Sequence, residues 1–412
     1  MPYKEIKGGV CAPRGFKAGA AAAGVKNADT KRNDLTLLYS TESTVSAGAF
    51  TTNKVKAAPV RVTQTHLRSR EMRAIIANSG NANACTGVRG INDARTMAAA
   101  AAKSLGLRKR EVGVCSTGVI GLPLPIDRIE PMIAPLCASL SSRNGRSVAE
   151  AIMTSDTTHK EIAVTADIAG RKVRIGACAK GAGMICPSMA TMLCFVTTDA
   201  NVSKACLEKN LLEAVEQSFN RICIDGDMST NDTVLALANG AAGGPTIARG
   251  SKGCRQFRDA LSYVLLKLAK AIVRDGERVT KFVTLEVKGA PTYQDAKKVA
   301  EAVSKSALVK ASWNGNDPNW GRVIHAVGYS RARIREELID IAYEGKLACR
   351  GGLVADTPIS ELQTIADRDR FTITINLHLG RADYTIYTSD ISPEYIDFNR
   401  SEYSYWKNTP HA

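Results

Sequence analysis

Two segments far apart in the chain alternate apolar and polar residues step by step, and they restrict the fold more than any other feature. In 162–178, Ile162, Val164, Ala166 and Ile168 alternate with polar or small residues, Gly170-Arg171 turns the chain, and Val173, Ile175 and Ala177 resume the alternation. In Phe371–Leu379, Phe371, Ile373, Ile375, Leu377 and Leu379 do the same. A period of two puts all apolar side chains on one face of a strand, so both segments need a sheet with one buried face. Further short apolar runs mixed with Ser, Thr and Gly over 35–76 read as strands, as do Glu111–Cys115, Met192–Val196 and Lys281–Val287.

Helical periods stand between these runs. Leu207, Leu211, Leu212, Val215 and Phe219 share a face of Ser203–Phe219. Phe257, Leu261, Val264, Leu265, Leu268 and Ile272 share another, ended by Asp275-Gly276. Asn92-Asp93 is placed to cap an alanine-rich helix running to Leu105, and Tyr293–Lys305 reads as a helix. ANSGNANACTG (77–87) and NGNDPNWGRV read as loops, the second with a buried Trp320. Helices and strands interleave without a regular βαβ period, so the class is α+β.

The chain of 412 residues carries 55 Lys and Arg against 40 Asp and Glu, a formal charge of +15. Such an excess suits nucleic acid or an anionic ligand. The basic residues are dispersed, however, the densest cluster being Arg108-Lys109-Arg110, and aromatics are 5% of the chain. A stacking platform for nucleic acid is therefore a poor fit, and most of the charge reads as solvated surface. Eleven cysteines are scattered without a CxxC pair, and Cys178, Cys186 and Cys194 lack zinc-site spacing. The expectation is reduced, mostly buried thiols in a cytoplasmic protein with no metal and no membrane span.

The familiar nucleophile systems are missing. The chain has five histidines and no GxSxG, HExxH or phosphate-binding loop, so nothing local supports a Ser-His-Asp triad. A threonine can dispense with histidine if the chain is cut just before it. The new α-amine, with an ordinary pKa of about 7.7–8.0, then serves as base for its own Oγ. Ala190-Thr191, between a glycine-rich loop and a strand, offers such a place. By itself such a pair is more often structural than catalytic.

The segment KGAGMICPSMATMLCFVTTDA (180–200) also resembles the processing segment of the ornithine acetyltransferase, or bifunctional glutamate N-acetyltransferase, family of arginine biosynthesis. GAFTTNKVKAAPV, ANSGNANACTG, STGVIGLPLP, AIMTSDT, DGDMSTNDTV, DGERVTKF and NDPNWGRV resemble further blocks of that family, in order, over nearly the whole chain. The resemblance implies a layered sandwich of mixed sheets and helices with a smaller C-terminal α/β lobe from about 290. It implies self-cleavage at Ala190-Thr191 into an α chain 1–190 and a β chain 191–412, assembled as a dimer of αβ units. Thr191 is then nucleophile and amine base, and Thr117 and Gly118 stabilise the oxyanion. Thr154, Lys180, Thr191, Glu277, Asn399 and Ser404 correspond to substrate-binding positions. The implied reaction moves acetyl from N-acetylornithine to glutamate without a cofactor, with acetyl-CoA as a candidate co-substrate.

Several residues depart from the family pattern. Arg278-Val279 replaces small residues after Glu277, Ser155 replaces a threonine, and Cys186 and Ser188 replace Ala and Asn near the cut. Asn399 and Ser404 keep the family's terminal spacing, whereas Glu402 and Tyr403 each come one position late and eight residues follow Ser404. Two other readings stay open on the residues alone: a related self-cleaving aminopeptidase or amidase with water as acyl acceptor, and a basic RNA-binding protein.

Overall fold

The computed structural model describes residues 3–29, 31–68, 71–186 and 192–400. The chain forms two compact units. The first takes in Met1–Gly181, Ser188–Asn220 and Met228–Ile272; the second takes in Ala182–Pro187, Arg221–Asp227 and Val273–Ala412.

The first unit is a layered α+β sandwich. Its six-stranded sheet runs in the order Tyr3–Ile6, Lys160–Ile168, Arg171–Lys180, Leu193–Thr198, Thr233–Ala238, Val45–Phe50. Leu193–Thr198 lies antiparallel to Arg171–Lys180 and parallel to Thr233–Ala238. The two inner strands LCFVTT and TVLALA are buried at every residue, as expected of strands covered on both faces. The four-stranded sheet runs Phe16–Ala21, Leu35–Ser40, Ala74–Asn81, Val112–Val119. Strand alternation divides its side chains. Ile75, Ala77 and Cys115 join Phe195, Leu193, Leu235 and Leu237 in the core between the sheets. Ala74, Ile76, Val112 and Val114 face a second core against helices Gly87–Leu105 and Ile126–Ala138.

The second unit has a seven-stranded sheet in which Phe282–Ala290 pairs parallel with the central strand Arg370–Asn376 and antiparallel with Ala382–Ser389. Val283, Leu285, Val287, Ile373 and Ile375 pack with Val299, Val303, Trp313 and Val323 from helices Tyr293–Lys305, Ala307–Asn314 and Trp320–Gly328. Thr292 and Asn319 cap two of these helices by accepting the N–H of Asp295 and Arg322.

Four readings of the sequence are corrected. Residues 58–67 form a helix rather than a strand: Pro59 sits in its first turn, where the missing N–H costs nothing, and β-branched Val60, Val62 and Thr63 face inward. The expected loop at 77–87 is in its first half a strand, Ala74–Asn81. Its polar residues are buried and bonded, with Asn78 Nδ2 donating to Asn81 O at 2.9 Å and Ser79 Oγ to Ala151 O at 2.7 Å. The alanine-rich helix begins at Gly87, before Asn92-Asp93, and Asp93 pairs with Arg89 one turn earlier. Trp320 is only partly buried, and Trp313 is the tryptophan inside the core. Among the described residues no helix is long and apolar enough to cross a membrane.

Candidate active site

In the first unit, strand register gathers the expected residues. STGVIG lies where Val112–Val119 runs out along Ala74–Asn81, with Ser79 opposite Thr117 and Gly80 opposite Gly118. Side-chain amides pin this end: Asn231 Nδ2 donates to Ser116 O at 2.8 Å and to Ala82 O at 2.7 Å, and Ser116 Oγ donates to Asn78 Oδ1 at 2.6 Å. Thr117 is buried and Gly118 exposed. Gly118 has φ of +136°, and a Cβ there would lie 2.3 Å from the carbonyl carbon of Gly80. Only glycine suits both the backbone angle and the close approach.

In the six-stranded sheet Lys180 is paired with Leu193, which in turn is paired with Thr233. Lys180 is 2% exposed, and its Nζ donates to Thr117 Oγ1 at 3.3 Å. A lysine beside a glycine-rich loop is ordinarily solvated, because burying an ammonium requires a partner. The compensation includes Asp156, which sequence reasoning passed over. Its carboxylate accepts Lys160 Nζ at 2.7 Å, the Gly181 N–H at 2.8 Å and the Thr154 N–H at 3.0 Å. Burial pushes the Asp156 carboxyl up, but the charges of Lys180 and Lys160 and the Gly181 N–H outweigh it and hold the group at about 2. Thr154 thus lies in a bend whose backbone is tied to the same carboxylate as Gly181, the residue after Lys180. The available signal was an acidic residue amid hydroxyls in AIMTSDT with a lysine four positions on.

A second overlooked carboxylate lies at the start of strand Thr233–Ala238. Asp232 is fully buried, and its Oδ1 accepts the Met192 N–H at 3.0 Å. Burial pushes its pKa far up, although the Met192 N–H, Thr51 and the Lys180 charge draw it down. Ala190, Thr191, Ser188 and Ser404 lie outside the described residues.

In the second unit the glycine-rich segment continues through Ala182 and Gly183. The Glu277 N–H donates to Ala182 O at 2.9 Å. The Glu277 carboxylate lies over Gly183, where a Cβ would fall 2.4 Å from Oε2. Asn399, on helix Pro393–Arg400, donates through Nδ2 to Glu277 Oε2 at 3.2 Å. Arg278 has φ of +56°, a conformation that glycine adopts without strain, and its guanidinium lies 5.0 Å from the centre of the Phe398 ring. Cys186 is buried, and burial pushes its thiol up to about 12 against the pull of Lys305. Asp225 accepts the N–H groups of Met184, Ile185 and Asp227. Among the described residues no group of three or more His, Cys, Asp or Glu side chains is placed to hold a metal ion.

The chain is 48% identical over 396 residues to the arginine biosynthesis bifunctional protein ArgJ of Symbiobacterium thermophilum, covering 96% of this chain and 98% of that one. It is 46% identical over 387 residues to the protein of the same name from Geobacter sulfurreducens, covering 94% and 98%. The crystal structure of the Bacillus halodurans arginine biosynthesis bifunctional protein argJ aligns at 36% identity and a TM-score of 0.49, over 50% of this chain and 98% of that chain. The sequence model of the ArgJ family matches residues 17–404. With that match over nearly its whole length and relatives close to half identical, the chain belongs to the ArgJ family.

Proposed function

We propose that this chain, as an acyltransferase of arginine biosynthesis, transfers acetyl from N-acetylornithine to glutamate through an acetyl ester on Thr191. The precursor first cuts itself at Ala190-Thr191. Thr191 Oγ attacks the Ala190 carbonyl, the resulting ester is hydrolysed by water, and the chains 1–190 and 191–412 stay together, the second carrying the C-terminal lobe. The freed α-amine takes the proton of Thr191 Oγ as it attacks the acetyl carbonyl of N-acetylornithine. Ornithine departs with its amine protonated, and the amine of glutamate then attacks the ester, giving N-acetylglutamate and regenerating Thr191. Acetyl-CoA serves the same ester as a second acetyl donor.

Each tetrahedral intermediate places negative charge on one oxygen, for which the Thr117 hydroxyl and the Gly118 N–H are the donors. Loss of one such donor typically slows turnover by about 10²–10³. Thr154, Lys180, Glu277, Asn399 and Ser404 hold the substrates, with the Glu277 carboxylate suited to the ammonium of ornithine. The observation that carries this reading is the buried Lys180 Nζ donating to Thr117 Oγ1 at 3.3 Å, beside Gly118 with its φ of +136°. An anion formed next to Thr117 lies close to that lysine.

The purified protein should run as two bands on a denaturing gel, with Edman sequencing of the β chain reading Thr-Met-Leu-Cys. Thr191→Ala should stay uncut and inactive. An uncut protein that still transfers acetyl would remove Thr191 from the mechanism. Fast acetate release from N-acetylornithine without glutamate would instead favour the amidase.

A further inference from the structure

We infer that Lys180 acts through Thr117, as a positioning residue that aims the Thr117 hydroxyl proton at the developing oxyanion, instead of serving only to clamp a substrate carboxylate. The inference rests on the acetyl-transfer reading above and deepens it.

The direction of one hydrogen bond carries the argument. A lysine ammonium has three donors and no acceptor, whereas a hydroxyl has one donor and two lone pairs. In the Lys180 Nζ to Thr117 Oγ1 contact at 3.3 Å the lysine must therefore donate. That fills a lone pair of Thr117 and leaves its proton for another acceptor. Among the described residues none takes it.

Other buried threonines in the same unit behave differently. Thr36 Oγ1 donates to Gly19 O at 2.7 Å, Thr63 Oγ1 to Val114 O at 2.6 Å, and Thr197 Oγ1 to Val10 O at 2.8 Å. Each gives its proton to a backbone carbonyl and is thereby spent. The Thr117 hydroxyl instead receives a cation's hydrogen bond, which polarises its O–H and strengthens it as a donor. Asp156 lies close enough to Lys180 for the two charges to act on each other. Lys180 is also fixed in place: its backbone is laddered to Leu193 and the next residue's N–H is bonded to Asp156.

A carboxylate clamp and an oxyanion-positioning role predict different kinetics. A clamp acts on substrate binding and changes KM; positioning acts only when charge develops and changes kcat. The test is a double-mutant cycle of Thr117→Ala and Lys180→Met, with rates referred to the amount of cleaved β chain. Thr117→Ala should lower kcat by about 10²–10³. Lys180→Met should lower it by roughly 10-fold or more, over and above any rise in KM from its lost substrate contact. In the Thr117→Ala background, Lys180→Met should then cost less than about threefold, because the hydroxyl it aims is gone. In the Thr117→Ser background, which keeps a hydroxyl, it should cost as much as in the native chain. Where a variant stays uncut, the half-time of cleavage at Ala190-Thr191 replaces kcat in the same cycle, since that step forms an oxyanion too. Lys180→Met combined with Asp156→Asn guards against misfolding from a weakened buried charge balance and should show the same coupling. Multiplicative losses in the cycle, or a Lys180→Met variant with raised KM and native kcat, would overturn this inference alone. A Thr117→Ala variant with native kcat and cleavage would overturn the underlying reading of Thr117 as well.

Discussion

Asp156, buried in the first unit, and Asp225, partly buried in the second, are acids that tie down loop backbone, yet they are held in opposite ways. Asp156 accepts two backbone N–H groups and a lysine ammonium, and despite burial it is held at about 2. Asp225 accepts three backbone N–H groups with no cation among its hydrogen-bond partners, and although the charge of Lys310 also acts on it, burial pushes it up to about 6. Around Asp225 three backbone N–H groups do not offset burial, whereas the charges of Lys180 and Lys160 hold Asp156 down. The first arrangement suits a place that must remain ionised while chemistry proceeds. The second suits a latch whose strength follows pH.

The largest effect that tests this contrast comes from Asp156→Ala. It strands Lys160 and Lys180 without their shared carboxylate and frees the N–H groups of Thr154 and Gly181. Removing one partner from a buried ion pair costs about 3–5 kcal/mol. Urea unfolding at pH 7 should show a loss of that size. A loss under about 1 kcal/mol would mean that solvent or a second anion compensates the two lysines, and the contrast with Asp225 would collapse.

Proton linkage gives the next effect and separates the two acids by sign. Asp156 lies below its ordinary value of 3.8, so the native state binds fewer protons than the unfolded one between about 2 and 4. Its contribution is present above that window and is lost as pH falls through it. Asp225 lies above 3.8, so native protein binds more protons between about 4 and 6, and stability falls as pH rises through that range. The shift corresponds to a change on the order of 3 kcal/mol across the window. Asp225→Asn should flatten this slope in urea unfolding measured from pH 4 to 7. An unchanged slope would assign it to another group.

How much of this was legible in the sequence follows from which signals are local. Period-two patterns marked the Lys160–Ile168 and Arg171–Lys180 hairpin and the strand Arg370–Asn376, because a strand's burial pattern is written in its own residues. Ala74–Asn81 was misread because Ser79 and Asn81 are satisfied by bonds to distant backbone, and such residues look like a turn when those partners are unseen. The helix Ala58–Leu67 was misread because β-branched residues favour strands until packing decides otherwise. Family resemblance singled out Thr117, Gly118 and Lys180, but the carboxylate that compensates the buried lysines was not legible. Asp156 is 24 positions from Lys180, and only the pairing of strands shows that the two share a site.

The smallest effect sharpens the account of Asp225. Tyr395 donates its hydroxyl to Asp225 Oδ2 at 3.4 Å, a long bond beside the three from backbone N–H groups. Burial raises the tyrosine's own pKa, so the hydroxyl remains a donor across the whole pH range considered. If backbone donors are what restrain Asp225, Tyr395→Phe should cost only about 0.5–1 kcal/mol, the ordinary worth of one hydrogen bond. It should also leave the 4-to-6 window where it is. A shift of the window's upper edge by more than about half a pH unit, larger than a weak neutral donor supplies, would make the tyrosine the principal restraint. Asp225 would then be governed by a side-chain donor after all, and its difference from Asp156 would be one of charge on the partner, not of backbone against side chain.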